Sequence, residues 1–292
     1  MTKPTLNPGS GFSRLRIDLT YDGTNFSGWA KQPNQRTIQQ ELELALSTYL
    51  RCQISSIVAG RTDAGVHAKH QVVHIDLPNN TSIENLVFRL NQILSNDIKV
   101  LSAQWAAPNF HARFTPVSRT YQYKIVDGGQ ITKPLDRYDS AEWFRKLDIT
   151  LMNEAASQLL GEHDFFAFCK FRQGASTVKN LIEFNWSRNN DGVVIGQITA
   201  DSFGYNMVRN LVGAAVCVGE GRFDSAWVKK VLDEKVRISD RRCSQSNRSC
   251  FGSSKVKRKI VSIPFMHHLK TKISTVQNIC PSVNHTSIRR EK

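Results

Sequence analysis

The sequence predicts an α+β fold built from two pseudo-repeated βαββαβ units with antiparallel sheets. Three observations carry this expectation. Several short runs alternate apolar with polar residues, the period of half-buried strands, and between them apolar residues recur three and four apart, the period of amphipathic helices. The same order of periods begins again in the second half. The chain, at 292 residues, exceeds the common single-domain size, so each unit has enough residues for its own core.

Residues 14 to 21 alternate, with Leu15, Ile17, Leu19 and Tyr21 on one side. Thr37 with Gln40 forms a capping-box pattern ahead of Ile38, Leu42, Ala45, Leu46 and Tyr49, which repeat on a helical face. Ile54 to Ala59 and His70 to Leu77 read as strands. Ser82 is expected to cap a second helix carrying Leu86, Leu90, Ile93 and Leu94, and Ile98 to Trp105 reads as the next strand. This is a split βαβ unit with helices covering one face of a sheet.

In the second half Tyr121, Tyr123 and Ile125 mark a strand, followed by a helix from about Asp148 to Gly161, a common helix-stop residue. Asn180, Ile182, Phe184 and Trp186 alternate, Val194, Ile198 and Ala200 make another strand, and Val208, Leu211, Val212 and Ala215 mark a helix. The expected organisation is a flexible N-terminus over 1–13, units over 14–112 and 113–242, and an atypical tail over 243–292. Such a pair of units leaves a cleft between its sheets, and ligand sites favour such junctions.

Composition narrows the function classes. No apolar run approaches the roughly 18 residues needed to span a bilayer, and Met1 to Thr5 has no apolar segment like that of a signal peptide, so a soluble cytoplasmic protein is expected, with no membrane partner. Cys52, Cys169, Cys217, Cys243, Cys250 and Cys280 form no Cys-x-x-Cys pair, which argues against a zinc site and a dense disulfide framework and for reduced thiols without catalytic duty. The net charge of +14 points to a polyanion, but it is uneven: residues 235 to 292 carry +12 and the first 234 only +2. A basic face on the body must therefore come from spatial clustering.

The tail has no convincing closing strand. Arg242 to Ser254 is Ser-rich and polar, and only Ile260 to Phe265 offers a strand, which Pro264 confines to an edge. Three accounts fit: a disordered basic extension, a divergent closing segment, or a tail read in an altered frame. The tail is not expected to supply a strand that covers the second sheet.

The most informative segment is Gly60-Arg61-Thr62-Asp63-Ala64-Gly65-Val66-His67-Ala68, which sets one carboxylate between glycines in a loop flanked by strands. Loops on a rigid scaffold are where catalytic groups sit, and glycine permits turns and close approaches. Asp and Gly are also ordinary turn residues, so the loop alone supports either reading.

These residues resemble the signature of the TruA family of tRNA pseudouridine synthases. The match extends through Tyr21 to Thr24, Phe26 to Trp29, Gln71 to His74, Phe110 to Phe114, Arg119 to Tyr123, Gly161 to Phe165 and Met207 to Asn210, over about residues 14 to 240. The resemblance implies RRM-like (ferredoxin-like) units around a central RNA-binding cleft. It also implies a homodimer acting on uridines 38 to 40 of the tRNA anticodon stem-loop. No cofactor or metal is chemically required.

The resemblance makes Asp63 the catalytic carboxylate, Arg209 its cationic partner and Tyr121 the ring that stacks on the flipped base. An unpaired arginine within Met207 to Val212 would be awkward, which favours the ion-pair role. One of Tyr121 and Tyr123 must be a plain core aromatic. Arg61, His67 and Arg113, with Tyr121, are the expected RNA contacts. His67, His74 and His111 have no metal-like spacing and read as structural or RNA-contacting. Asn206 stands where the family often has histidine. The rival reading is a catalytically impaired tRNA-binding protein or RNA folding helper of the same fold. A weaker one is an Asp/His nucleotide hydrolase.

Overall fold

A computed structural model describes residues 7–237 and 260–261 of the chain. Its first half runs β1 (Phe12–Tyr21), α1 (Ile38–Leu50), β2 (Ile57–Val58), β3 (Ala68–Pro78), α2 (Leu86–Ile93) and β4 (Ile98–Trp105). The strands form an antiparallel sheet in the order β2-β3-β1-β4. Alternation in β1 sends Leu15, Ile17 and Leu19 into a core with Ile38, Leu42 and Leu46 of α1 and Leu86 and Leu90 of α2. Both helices thus cover one face.

Two expected helix starts are corrected. Thr37 is the N-cap of α1 in extended backbone, but its side chain makes no capping bond. The main chain of the preceding loop replaces it: Ile38 and Gln39 donate their N–H groups to the carbonyls of Gly28 and Trp29 at 3.2 and 3.0 Å. Ser82 does not cap α2. Its Oγ accepts from Glu84 N in a preceding turn, and α2 begins after Asn85, which is left-handed at φ 57°.

The second half runs β5 (Arg119–Val126), β6 (Ala141–Glu142), α3 (Ile149–Ser157), β7 (Gly161–Asp164), β8 (Val178–Arg188), β9 (Val194–Ala200), α4 (Met207–Gly219), α5 (Trp227–Glu234) and β10 (Ile260–Val261). The strand order is β10-β5-β9-β8-β7, with β6 also on β5. The β5–β6 pair is parallel, so this sheet is mixed rather than antiparallel as expected. Asp148 caps α3 by accepting from Thr150 N and Leu151 N. The helix stops at Ser157, short of Gly161, which opens β7. The short β6, β7 and α5 carry too little periodicity to be read in advance.

The expectation that the tail supplies no strand to the second sheet is corrected: Ile260–Val261 pairs antiparallel with Tyr123 and Gln122 at the sheet edge, giving β5 the neighbour that its edge main-chain groups would otherwise lack there. The other expectations for residues 243 to 292, like those for the first six residues, lie outside the described residues.

The segment joining the halves lies against the face of the first sheet opposite the helices. The guanidinium of buried Arg14 donates to Phe110 O at 2.7 Å and to both oxygens of Asp76. His74 accepts from Ala112 N through Nδ1 at 3.0 Å, so its neutral tautomer is the one in use. Burial first, then the charge of Arg14, pushes His74 from 6.5 down to about 4. Between those values the unfolded chain binds more protons than the folded one, so stability falls as pH drops from 6.5 towards 4. Urea unfolding at pH 7 and pH 5 is expected to show a loss of roughly 2 kcal/mol from His74, and His74→Gln should remove that part of the pH dependence whatever it does to absolute stability.

Candidate active site

The loop between β2 and β3 is fastened residue by residue. Gln71 Nε2 donates to Gly60 O at 2.8 Å, Trp29 N to Thr62 O at 3.0 Å and Gly65 N to Phe26 O at 3.2 Å. The hydroxyls of Tyr21 and Thr62 meet at 2.8 Å. Burial pushes the Tyr21 phenol up to about 12, so it keeps its proton. With Thr62 and Val66 buried and Arg61 and Asp63 exposed, the anchored backbone presents two charged side chains outward.

Glycines fit this loop, though not all where the motif suggested. Gly28 has φ +96°, and a Cβ there would lie 2.8 Å from Thr62 O and 3.1 Å from the Asp63 carbonyl carbon. Gly65 has φ +75°, a conformation that disfavours a side chain. Gly60 needs neither a positive φ nor a close approach; a Cβ there would stand in ordinary contact with Arg119 at 3.9 Å.

The second half brings the other groups. Arg209, in the first turn of α4, places Nη2 3.8 Å from Asp63 Oδ2, with Arg209 33% and Asp63 52% exposed. At that distance and exposure the pair adds little to folding and leaves the carboxylate accessible. Tyr121, on β5, packs edge-on to Phe203 at 5.2 Å. Burial raises its phenol to about 12 against the lowering effect of Arg119, with Asp63 adding to the rise. It is therefore a neutral hydroxyl and not a base near pH 7. Tyr123 is the core member of the pair, 2% exposed.

These side chains line one groove of about 1160 Å³ with walls from both halves. Arg61 and Arg113 line it as expected, and so do Arg119, Lys170, Arg172, Lys179, Arg209 and Arg237. Asp63 is the only carboxylate among the described lining residues. The near-neutral sum of the body thus conceals a strongly basic channel. His67 is not in the lining. Its Nδ1 lies 3.0 Å from Asp22 Oδ1 and its Nε2 2.8 Å from Tyr138 O, so it joins the end of the loop to the segment before β6. His74 is buried behind the groove wall, His111 is buried but among the lining residues, and Asn206 takes the left-handed position at φ 63° that starts α4.

Arg119 is the residue that sequence reasoning passed over. Its guanidinium donates to Asp201 O at 2.8 Å, Arg113 O at 2.9 Å and Ala59 O at 3.2 Å, tying three loops together. Burial pushes its pKa down, and three carbonyl dipoles take the place of a carboxylate partner. The available signal was its place two residues before Tyr121, on the same face of β5.

Comparison with known proteins agrees with this geometry. A family model described as tRNA pseudouridine synthase matches residues 19–115 and 155–247. The chain belongs to the tRNA pseudouridine synthase family. Among relatives described as tRNA pseudouridine synthase A, that of Frankia casuarinae is 47% identical, over 78% of this chain and 83% of its own. Those of Streptomyces griseus and Streptomyces avermitilis are each 46% identical, over 78% of this chain and 82% and 83% of theirs. Both segments matched by the synthase family model line the groove, the first with Asp63 and the second with Arg209.

No helix among the described residues is long and apolar enough to cross a membrane. Among those residues no cluster of His, Cys, Asp and Glu could hold a metal ion.

The close approach at Gly28 can be tested directly. Gly28→Ala must strain a positive φ and push on the Thr62 carbonyl, and is expected to cost about 2 kcal/mol or more in urea unfolding. Gly9→Ala, whose Cβ would meet only Phe12 at 3.9 Å, serves as the control and should change little.

Proposed function

We propose that this chain isomerises uridine to pseudouridine in tRNA, at positions 38 to 40 of the anticodon stem-loop, with Asp63 as the catalytic carboxylate. The observation that carries this reading is Asp63 as the one carboxylate among the described residues of a basic groove, with Arg209 and Tyr121 beside it. The reaction breaks the C1′–N1 bond, turns the uracil, joins C1′ to C5, releases the C5 hydrogen as a proton and leaves a proton on the freed N1, so that the product is an isomer. Attack on C1′, addition to C6 and removal of a ribose proton each call on one carboxylate that can later reverse its role.

Arg209 sets a positive charge beside Asp63 without covering it. Tyr121 offers a ring face and a protonated hydroxyl to a base that has left its stack. Arg61 and Arg113 serve as phosphate contacts, which position RNA without reading its bases. His67 acts as a brace rather than an RNA contact. The units at 14–112 and 113–242 are read as copies of one RRM-like pattern, a reading supported by the matching strand orders β2-β3-β1-β4 and β8-β9-β5-β10, the last strand of the second coming from beyond residue 242. A cytoplasmic homodimer completes the proposal, with sedimentation as its check.

Tritium release from tRNA labelled at uracil C5 tests the reaction. The native chain should release label, and Asp63→Ala should lower the rate by at least about a hundredfold. Retained tRNA binding without release by the native chain would favour the impaired binding protein instead. For the RNA contacts, the affinity of Arg61→Ala measured against salt should show a log-log slope shallower by about 0.7 than that of the native chain.

A further inference from the structure

Three exposed aromatic rings line the groove, and each carries a cation at close range. Phe171 is 67% exposed, Phe114 54% and Tyr205 48%. The Arg237 guanidinium lies 5.4 Å from the Phe171 ring, the Arg113 guanidinium 5.8 Å from Phe114 and Lys170 Nζ 5.5 Å from Tyr205. Single exposed rings are ordinary on a protein surface; rings paired with cations along one channel are not.

Phe171 and Tyr205 sit on two different loops of one wall that are locked together. Lys170 N donates to Tyr205 O at 2.8 Å, and the Cys169 thiol fills the space beside Gly204 where a Cβ would otherwise stand. The two rings therefore belong to one wall segment, flanked by Lys170 and Arg172. A protein partner would accept the rings but would leave these cations without a counter-charge, since core contacts of protein interfaces are depleted in charge. An aromatic face beside a cation is what an unstacked nucleotide offers partners to, base to ring and phosphate to charge.

We propose that Phe171 and Tyr205 form a stacking platform for an unpaired nucleotide next to the target uridine, with Lys170 and Arg172 on its phosphate. This rests on the synthase reading, in which the target base leaves its stack. Departure of that base deprives its neighbour of one stacking face, and the platform supplies a replacement.

The test is binding of an anticodon stem-loop hairpin by the full chain, Phe171→Ala, Phe171→Tyr and Tyr205→Ala. Each hairpin is used intact or with one abasic site in turn beside the target. Each alanine variant should bind the intact hairpin more weakly, on the order of tenfold, whereas Phe171→Tyr keeps the ring and the affinity. At one abasic position the native chain and Phe171→Ala should bind equally, because the stacked base is already gone. Alanine variants that bind like the native chain, or losses that add at every abasic position, would overturn the platform. A lowered unfolding midpoint with unchanged binding would likewise overturn it and assign the rings to the chain's own packing. Pseudouridine formed from the intact hairpin reads the reaction separately, so a silent enzyme with non-additive binding would remove the catalytic reading and leave the platform standing.

Discussion

The bond from Trp29 N to Thr62 O is the contact on which the site depends, because it couples three elements through main chain alone. The same Gly28–Trp29 stretch caps α1 by receiving the Ile38 and Gln39 N–H groups. A helix start, the turn after β1 and the loop that carries Asp63 are thereby placed by one set of peptide groups, each satisfying another that would be left unpaired on burial. Arg61 and Asp63 are then free to face the groove, since neither side chain is needed to hold the loop. This accounts for an exposed Asp63 on a backbone whose neighbours Thr62 and Val66 are buried.

Arg119 extends the same economy across the two halves. A lysine in its place could not reach three carbonyls in fixed directions, because its charge is a point on a flexible stem and not a planar fork. The guanidinium also sets a positive charge next to Tyr121, opposing the rise that burial imposes on the phenol. Placement of Tyr121 and of the β2–β3 loop is thus shared by one side chain, and strand β5 supplies both residues.

Strong periodicity made most of the fold legible in the sequence. β4 was readable to its ends at Ile98 and Trp105 because it alternates between a core and an open face. Thr37 and Ser82 misled because capping patterns describe what a side chain can do, whereas here carbonyls from a distant loop reached α1 first and a turn delayed α2. Asp63, Tyr121 and Arg209 were legible through resemblance and are brought together in one groove. Periodicity alone would have shown Arg209 only as a charge on an apolar helix. The position of His67 was not legible, because Ala64 and Val66 before it line the groove while its own ring turns to Asp22 and Tyr138. The basic channel was hidden because its eight cations lie far apart in the chain, from Arg61 to Arg237, and only the fold gathers them.

The Arg14 and His74 contacts hold the joining segment to a sheet that is already ordered, which makes the distance across the groove a property of the folded chain and not of its ligand. Walls that do not close like jaws leave the bending to whatever enters. On the proposed reading, an RNA that resists deformation would gain fewer contacts there than one that yields, and discrimination would become a measure of nucleic-acid stiffness as well as of spelling.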